Sequence, residues 1–328
     1  MIQFEYVKPS TQKAAVNAVA KNANAQFIAG GTNLVDLMKR GVTAPQKLVD
    51  INGLPLKEIK KTPGHLYIGA LALNSVVAGN NLVLQHQPLL AQALASGASP
   101  QLRNMATVGG NIMQRTRCSY FYDTVLPCNK REPGTGCSAI EGYNRMHAIF
   151  GSSLSCIAVH PSDMCVALAT LEAVVMVSGP GGDRRIPFAD FHRLPGETPH
   201  IDNNLQKGEL IVAIEIPDNN LAKNIHYLKV RDRASYAFAL VSVAAALQIN
   251  NGTIEKARLA MGGVAHKPWR LFEAEKMLVG KEATMEHFKA AATLAMTGAK
   301  AFEHNTFKLK MAPNSIMEAL RVAAGLEV

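Results

Sequence analysis

The spacing of apolar residues predicts a small βαβ unit at the start of the chain. Apolar residues recur at helical intervals where good helix formers dominate, and shorter apolar runs read as buried strands. The predicted elements are, in order, a helix capped by Thr11 and running through Val19, a strand at residues 26–29, a helix whose apolar face starts at Leu34, and a strand at residues 47–51. This unit ends near residue 55.

A second unit with alternating helix and strand patterns follows. Its predicted elements are a strand near 66–70, helices at 75–79 and 88–98, a turn at 107–111, a helix at 163–172, a strand at 173–177, and a strand at 209–216 that Pro217 ends. Residues 114–158 interrupt this pattern, because they lose periodicity and are rich in Cys, Gly, Arg and Tyr. A loop of that length inside a compact domain usually has a function.

The remainder of the chain predicts a third unit from about residue 222. Apolar runs at 237–249 and 257–261 indicate strands, although the first could also form a helix, and residues 269–279 and 285–302 follow a helical period. We therefore expect three units, at 1–55, at 56–220 with an insertion at about 114–158, and at 221–328.

Composition narrows the class of protein. The chain has 328 residues, of which 48% are apolar and 18% charged, a balance typical of folded rather than disordered proteins. It contains no apolar stretch long enough to predict a membrane span, and no export signal follows Met1. We therefore expect a soluble protein that is cytoplasmic by its own sequence.

Positive charge is concentrated in the first half of the chain. The net formal charge is +9, and residues 1–164 hold 15 Lys and Arg against 8 Asp and Glu. Such a surplus indicates either an anionic partner or a solubilising surface. Nucleic acid is not favoured, because no Lys/Arg-rich tail is present and no aromatic residues alternate with basic ones.

Two glycine pairs each follow a predicted element and could hold phosphate. In FIAGGTNLVDLMKR, residues 27–40, adjacent glycines between a strand and a helix expose backbone N–H groups beside the positive end of the helix. The sequence matches neither the G-x-G-x-x-G fingerprint nor a Walker A loop. A second pair, in TVGGN at 107–111, has Arg103, Arg115 and Arg117 nearby. The two turns could wrap one dinucleotide, or they could be unrelated structural turns.

Four of the five cysteines lie within 39 residues. Cys118, Cys128, Cys137 and Cys156 are separated by 9, 8 and 18 residues, and Cys165 lies outside this set. An odd number of cysteines without a signal peptide does not suit a disulfide framework. Zinc ribbons normally use C-x₂₋₄-C pairs, which are absent, whereas wide spacings in an irregular loop suit an iron–sulfur cluster. The spacing alone leaves a [4Fe–4S] cluster, zinc and no metal as possibilities.

Other candidates have ordinary structural explanations. Ser162 or Asp163 in the sequence PSD can cap a helix, and His147 and His160 could bind a metal or be hydrogen-bonded structural residues. Residues 227–236 combine three cations with two tyrosines, which could bind phosphate or seat an aromatic ring, or could form a solvated strand edge.

Five motifs in order identify a family. They are AGGTNL at 29–34, ATVGGNI at 106–112, PSD at 161–163, GELIVAIEIP at 208–217 and the K-x-R-x-R-A-S-Y run at 229–236. Together they resemble the FAD-binding medium subunit of the xanthine dehydrogenase family of molybdenum hydroxylases. The resemblance spans nearly the whole chain. The insertion that carries the cysteines resembles that of family members with an inserted [4Fe–4S] cluster, namely heterotrimeric aldehyde oxidoreductases and 4-hydroxybenzoyl-CoA reductases. Its amino-acid sequence is more similar to that of the aldehyde oxidoreductases.

The resemblance implies a fold and a set of site residues. The fold is α+β, with a two-part FAD-binding domain of the medium-subunit (PCMH) type and a smaller α+β C-terminal domain. The pyrophosphate of FAD would be held by Phe27, Ile28, Ala29, Gly30, Gly31, Thr32, Asn33 and Leu34 and by Thr107, Val108, Gly109, Gly110 and Asn111. Asp163 would bind the adenosine half, Ile211 would lie near the adenine or flavin, and Lys229 and Gly97 would contact FAD. The cluster ligands would be Cys118, Cys128, Cys137 and Cys156.

The resemblance also implies a division of labour between subunits. A large molybdenum-cofactor subunit would oxidise an aldehyde with water to a carboxylic acid, and a small subunit with two [2Fe–2S] clusters would pass on the electrons. This chain would take them up at FAD and release them to an external acceptor, without catalysing aldehyde oxidation alone. The alternatives are the flavin subunit of a 4-hydroxybenzoyl-CoA reductase-like or xanthine dehydrogenase-like enzyme, a self-sufficient flavoenzyme, and a metal-binding module without flavin. Export with a partner subunit would place the complex in the periplasm.

Overall fold

The computed structural model describes residues 1–327, which form three sheets with helices packed against them. The strands are β1 Glu5–Val7, β2 Ala25–Ile28, β3 Lys47–Asp50, β4 Ile59–Thr62, β5 His65–Gly69, β6 Val174–Gly179, β7 Gly182–Pro187, β8 Leu210–Pro217, β9 Asn224–Val230, β10 Val241–Asn250, β11 Thr253–Gly262 and β12 Trp269–Arg270. The helices are α1 Gln12–Ala20, α2 Leu34–Lys39, α3 Asn74–Gly79, α4 Asn81–His86, α5 Pro88–Ser96, α6 Pro100–Arg103, α7 Val108–Ile112, α8 Ser119–Tyr122, α9 Asp163–Thr170, α10 Phe188–Phe191, α11 Phe272–Leu278, α12 Met285–Ala295 and α13 Lys308–Ala323. The predicted α+β class is confirmed.

The first sheet is parallel and has the strand order β1-β3-β2. The helix α1 packs on it through Ala15, Val16 and Val19, and the side chain of Thr11 caps this helix by accepting a hydrogen bond from Ala14 N at 3.2 Å. The cap is as predicted. The sheet therefore presents the loop after β2, which carries the first glycine pair, next to the start of α2.

The second sheet is antiparallel and has the order β4-β5-β8-β6-β7. Helices α3, α5 and α9 share its main apolar core. Every residue of α9 is buried, because this helix also packs on β10 and β11 of the third sheet. The helix that carries Asp163 is consequently the most enclosed element near the centre of the molecule.

The third sheet is antiparallel, with the order β12-β11-β10-β9, and α11, α12 and α13 cover its outer face. β10 starts at Val241, four residues after the predicted start, and forms a strand rather than the alternative helix. The predicted elements did not include α13 or the short elements β1, β4, β7, α4, α6, α8 and α10. Residues 269–270, which were predicted as helical, form β12, because they pair with β11. Among residues 1–327, no helix combines the length and the apolar character needed to cross a membrane.

Residues 107–112 differ from the prediction. The predicted turn is a short helix, α7, capped by the Thr107 hydroxyl, which accepts a hydrogen bond from Gly110 N at 3.1 Å. Residues 114–158, which we call the cysteine loop, are irregular as predicted except for α8 and isolated bridges such as that between Cys128 and Cys137. The N–H groups of the glycine pair in α7 are used within the fold, because Gly109 N donates to Ala70 O at 2.8 Å and Gly110 N donates to Thr107 Oγ1.

Candidate functional site

The two glycine segments touch each other through their backbones. A Cβ atom on Gly30 would overlap the carbonyl group of Met105, which immediately precedes the second segment. A Cβ on Gly109 would lie 3.2 Å from the carbonyl oxygen of Ala70. Glycine is required at both positions, because two segments of the backbone approach each other so closely that no side chain fits between them. The structure therefore brings the two predicted phosphate turns together.

Two large cavities meet at this contact. One has a volume of about 600 Å³ and the other about 650 Å³, and both are lined by Thr32, Asn33, Ala106 and Gly110. Each is of the size that binding sites for small molecules usually have. A ligand that reaches from one cavity into the other must cross the rim formed by the glycine segments.

The first cavity contains Asp163 at the start of α9. Tyr227 donates a hydrogen bond to Oδ1 of Asp163 at 2.8 Å, and Lys229 donates to Oδ2, also at 2.8 Å. Burial raises the pKa of Asp163, and the nearby Lys229 charge opposes that rise. Lys229 additionally donates to the Ser96 carbonyl at 3.0 Å. This buried ion pair fixes the carboxylate on the cavity wall.

The predicted residues divide between the two cavities. Those on the first cavity are Thr32, Asn33, Gly97, Gly110, Asn111 and Asp163, and those on the second are Phe27, Ile28, Ala29, Gly30, Gly31, Thr32, Asn33, Leu34, Thr107, Gly109, Gly110 and Ile211. Val108 is buried in the core and lines neither cavity. Lys229 also lines neither, and contacts the site through Asp163.

Several residues that line the two cavities were not predicted from the sequence. Phe238 lines the first cavity, and the guanidinium of Arg117 lies 5.2 Å from its ring centroid. Residues 200–203 and 205–207 line the second cavity, where Lys207 donates to the carbonyls of Ala23 and Ala25 at 3.0 Å each. No periodic or glycine signal marks residues 200–207, because they form a loop whose position depends on these long-range contacts.

Backbone N–H groups surround the sulfurs of the cysteine loop. The N–H groups of Phe121 and Tyr120 act to lower the pKa of Cys118, and those of Ala139, Ile157 and Ile140 act to lower the pKa of Cys137. The N–H group of Ala158 acts in the same direction on the pKa of Cys156. Hydrogen bonds from successive N–H groups stabilise anionic sulfur, and they are one of the means by which proteins tune iron–sulfur clusters.

The four sulfurs are neighbours but are not packed around one point. Burial raises the pKa of Cys118 to about 12, and charge on Cys128 and Cys137 adds to the rise. A hydrogen bond with Cys156 lowers the pKa of Cys137 to about 6. Within residues 1–327, no three of these sulfurs lie within 4.8 Å of one another. A single zinc ion would hold its four sulfurs closer than this, since Zn–S distances are about 2.3 Å. The wider arrangement fits a polynuclear cluster better.

Three cations of the cysteine loop have separate roles. Lys130 is buried and pairs with Asp202 at 2.5 Å, and its charge opposes the rise in the pKa of Cys156 that the Cys137 thiol and burial cause. Arg131 donates to the carbonyls of Tyr120 and Phe121 at 2.9 and 3.0 Å, so it orders the loop backbone. Arg117 faces the first cavity rather than the sulfurs.

The cysteine loop is fixed to the third sheet and to α13. The backbone N–H groups of Ile149 and Phe150 both donate to Val264 O, at 2.9 and 3.0 Å. Lys308, which is fully buried, donates to His147 O at 2.9 Å and to Gly263 O at 2.7 Å. Burial lowers the pKa of Lys308 to about 7. The loop is therefore a docked part of the fold.

Comparison with known families identifies the chain. Residues 2–219 match the profile of the FAD binding domain in molybdopterin dehydrogenase. The chain belongs to the molybdopterin dehydrogenase FAD-binding family. It is thus an FAD-binding subunit of an oxidoreductase in the molybdenum hydroxylase family. Residues 226–322 match the C-terminal domain of the CO dehydrogenase flavoprotein, as expected for this family's medium subunits.

Relatives of this FAD-binding family cover the chain from end to end. It is 48% identical to the aldehyde oxidoreductase FAD-binding subunit PaoB of Escherichia coli, over 98% of this chain and 99% of PaoB. It is 30% identical to the glyceraldehyde dehydrogenase medium chain of Sulfolobus acidocaldarius, over 85% of this chain and 82% of the relative. A chain of the carbon monoxide dehydrogenase structure from Hydrogenophaga pseudoflava superposes with a TM-score of 0.78 and 26% identity, covering 99% of both chains.

Proposed function

We propose that this chain is the FAD-carrying electron-transfer subunit of a molybdenum-dependent aldehyde oxidoreductase, which converts an aldehyde and water to a carboxylic acid. The observation that carries the proposal is the 48% identity to PaoB over essentially both full lengths, with both cavities and the cysteine loop present. The partners are a large molybdenum-cofactor subunit and a small subunit with two [2Fe–2S] clusters. Electrons pass from the small subunit to this chain and then to an external acceptor.

The residues around the two cavities fit FAD. In the first glycine segment the backbone N–H groups of residues 30–33 have no acceptor among the described residues, so they would be available to a pyrophosphate at the shared rim, which Thr32, Asn33 and Gly110 form. The N–H groups of Gly109 and Gly110 already donate to Ala70 O and Thr107 Oγ1. Arg103 and Arg117 on the first cavity supply positive charge for an anionic ligand. Since Asp163 and Ile211 lie in different cavities, they would contact opposite halves of a bound dinucleotide. When bound, FAD supplies the redox chemistry, accepting and releasing electrons.

The chain's own residues position the cofactor and control its surroundings. The ion pair of Asp163 and Lys229 holds a carboxylate on the wall of the first cavity, where it can accept a hydrogen bond from a ligand N–H or hydroxyl. Phe238 and Tyr236 border the same cavity and shield its interior from water. Low exposure strengthens each of these electrostatic contacts.

We assign the [4Fe–4S] cluster to Cys118, Cys128, Cys137 and Cys156. The N–H groups directed at three of the sulfurs and the separation of the four sulfurs support a polynuclear cluster over a single zinc ion. Two of these cysteines, Cys118 and Cys128, pack with Phe121 against Leu37 of α2, next to the first glycine segment. A cavity of about 300 Å³, lined by both Cys118 and Asp163, separates the cluster from the flavin site.

The test is anaerobic reduction of the assembled complex. The chain is co-expressed with its large and small partner subunits, and the flavin absorption is followed after addition of an aldehyde. Aldehyde-dependent bleaching in the complex, and none in the isolated chain, is the expected result. Bleaching of the isolated chain would indicate a self-sufficient flavoenzyme. Reduction by xanthine but not by aldehydes would assign the subunit to a xanthine dehydrogenase-like enzyme. Turnover of 4-hydroxybenzoyl-CoA would assign it to a 4-hydroxybenzoyl-CoA reductase-like enzyme.

A further inference from the structure

A second group of soft metal ligands lies outside the cysteine loop. His160, Cys165 and His192 each offer one ligand atom, and these three atoms lie within 4.8 Å of one another. None of the three belongs to the four-cysteine set or to the flavin-contacting residues. We propose that they form a binding site for a single soft metal ion, Zn²⁺ or Cu⁺, which fixes the start of α9.

The orientation of His192 is that of a metal ligand. Its Nε2 atom lies 3.0 Å from the carbonyl oxygen of Ile112, so this nitrogen carries the proton and donates. Its Nδ1 atom is buried and has no hydrogen-bond partner. Metal-bound histidines commonly donate their second ring N–H to a backbone carbonyl in this way, which leaves the other lone pair directed at the ion.

His160 supplies the second nitrogen. Its ring centroid lies 4.3 Å from that of His192, and its Nε2 atom is buried without a partner. The Nδ1 atom accepts a hydrogen bond from Ser162 N at 3.4 Å. Binding of an ion through Nε2 places the proton on Nδ1 and breaks this long hydrogen bond with Ser162 N.

Cys165 supplies the sulfur from the first turn of α9. Its side chain is fully buried, and burial raises the pKa of its thiol to about 12, so the thiol is protonated without a metal. Binding replaces the S–H bond by a sulfur–metal bond and releases one proton to solvent, as it does at other thiolate sites. Two imidazoles and one thiolate form a donor set that suits Zn²⁺ and Cu⁺ and disfavours hard cations.

The space around the ligands limits what else can bind. A cavity of about 10 Å³ is lined by His160 and His192 and by a third buried histidine, His266, whose two ring nitrogens have no partner. This volume holds one water at most, so on this side of the ligands a fourth position can take a water but has no room for a substrate. Lys130 also lines this cavity, and Asp202 at 2.5 Å offsets its charge. The site is therefore structural.

The three ligands come from separate parts of the fold. His160 lies two residues after the end of the cysteine loop. Cys165 lies in α9, two residues after Asp163, and His192 directly follows α10. His160 also borders the cavity of about 300 Å³, which gives an ion a path to the site. An ion here ties the cysteine loop and the second sheet to the helix that presents Asp163.

Metal analysis of the assembled complex tests the proposal. The complex is incubated with Zn²⁺ in one arm and with Cu⁺ in a second, desalted, and analysed for zinc, copper, iron and flavin. We expect one added ion per chain in at least one arm, and at least a tenfold lower content in Cys165→Ser and in His192→Gln. Iron and flavin should be unchanged. His226→Gln, a half-buried histidine on β9 remote from these ligands, is the matched control and should bind as the unmodified complex does.

Two further measurements distinguish metal binding at this site from metal binding elsewhere in the complex. With Co²⁺ as the probe, the unmodified complex should show a thiolate-to-cobalt charge-transfer band that Cys165→Ser lacks. A gain of zinc or copper that matches a loss of iron and persists in Cys165→Ser would mean that the ion enters the four-cysteine loop, and would overturn the proposal. Failure to take up either ion, with the cavity holding only water, would overturn it as well.

Discussion

The Nε2 atom of His147 lies 3.1 Å from the Sγ atom of Cys118. The backbone of His147 is held in place, because Lys308 and Asn305 both donate hydrogen bonds to its carbonyl oxygen, at 2.9 and 3.1 Å. Burial lowers the pKa of His147 to about 4, so the ring is neutral at pH 7 and its Nε2–H can donate to sulfur. The side chain is thus a fixed hydrogen-bond donor to one proposed cluster ligand.

Replacing His147 should change the reduction potential of the cluster. A hydrogen bond to sulfur stabilises the more negative, reduced cluster, so His147→Phe should make the midpoint potential more negative. The loss of a hydrogen bond of about 1 kcal/mol corresponds to roughly 40 mV for one electron. A redox titration of the complex monitored by electron paramagnetic resonance measures the shift. His147→Gln retains a donor and should recover part of the potential, and equal potentials in all three proteins would contradict the role.

The proposed ligands predict which cysteine the iron requires. Cys137→Ser should lower the iron content of the purified complex by at least half, because the serine oxygen is a poor substitute for thiolate in an iron–sulfur site. Cys165→Ser is the matched control, since Cys165 is buried in α9 outside the loop, and it should retain full iron. Full iron in Cys137→Ser, or its loss only in Cys165→Ser, would show that the ligand assignment is wrong.

The contact between the glycine segments predicts a position that tolerates no side chain. Gly30→Ala would force a methyl group into the Met105 carbonyl, so we expect a loss of stability of about 2–3 kcal/mol together with reduced FAD content. At Gly79, in α3, a Cβ would meet nothing within 4 Å. Gly79→Ala should therefore be neutral or stabilise by up to about 1 kcal/mol. Thermal unfolding and FAD analysis of both variants measure the difference.

The buried pair of Asp163 and Lys229 should show strong coupling. Either Asp163→Asn or Lys229→Met leaves the other charge buried without its partner, which typically costs about 3–5 kcal/mol. The double variant should cost less than the sum of the two, and a double-mutant cycle by denaturant unfolding gives the coupling energy. Lys276 and Glu273 form an exposed pair at 2.8 Å, for which the same cycle should give less than about 1 kcal/mol. Additive effects at Asp163 and Lys229 would disprove the coupling.

Lys308 predicts how stability depends on pH. Its pKa is about 7 in the folded protein and about 10.4 in an unfolded chain. Below pH 7 the lysine is charged in both states, and the cost of burying the ammonium is fully present. Between about pH 7 and 10 only the unfolded chain holds the proton, so the free energy of unfolding contributed by Lys308 rises with pH.

Unfolding by denaturant from pH 7 to 10 measures this contribution. The unmodified protein should gain about 1 kcal/mol per pH unit relative to Lys308→Met, which has no proton to lose. Lys310→Met changes an exposed lysine of the same helix and should follow the unmodified protein. A Lys308→Met curve parallel to that of the unmodified protein would contradict the low pKa.

Local signals predicted part of the fold well. The Thr11 cap, the strand before Gly30 and the helix from Asp163 are all determined by residues close together in the sequence. α13 was missed because Pro313 lies inside it, and proline normally ends a helix. Here the tertiary contacts of its buried face with β9, β10 and α12 outweigh that local preference.

The candidate site was predictable only where a motif carries the chemistry. The glycine pairs and the cysteines could be found from the sequence, because backbone approach and thiolate chemistry demand those residue types. The pairings of these residues with other side chains could not be found from the sequence. His147 contacts Cys118 across 29 residues, and Lys229 contacts Asp163 across 66. Such pairs depend on which strands and helices pack together, and no local pattern encodes that packing.

The attachment of the cysteine loop to α13 has a consequence for biosynthesis. The carbonyls of the loop that accept from Lys308 and Asn305 lie about 160 residues before their donors. During translation all four cysteines leave the ribosome well before those donors exist. The hydrogen bonds that attach the loop to the residues at the start of α13 can therefore form only after the last helix has been made, so the loop reaches its final position late in the synthesis of the chain.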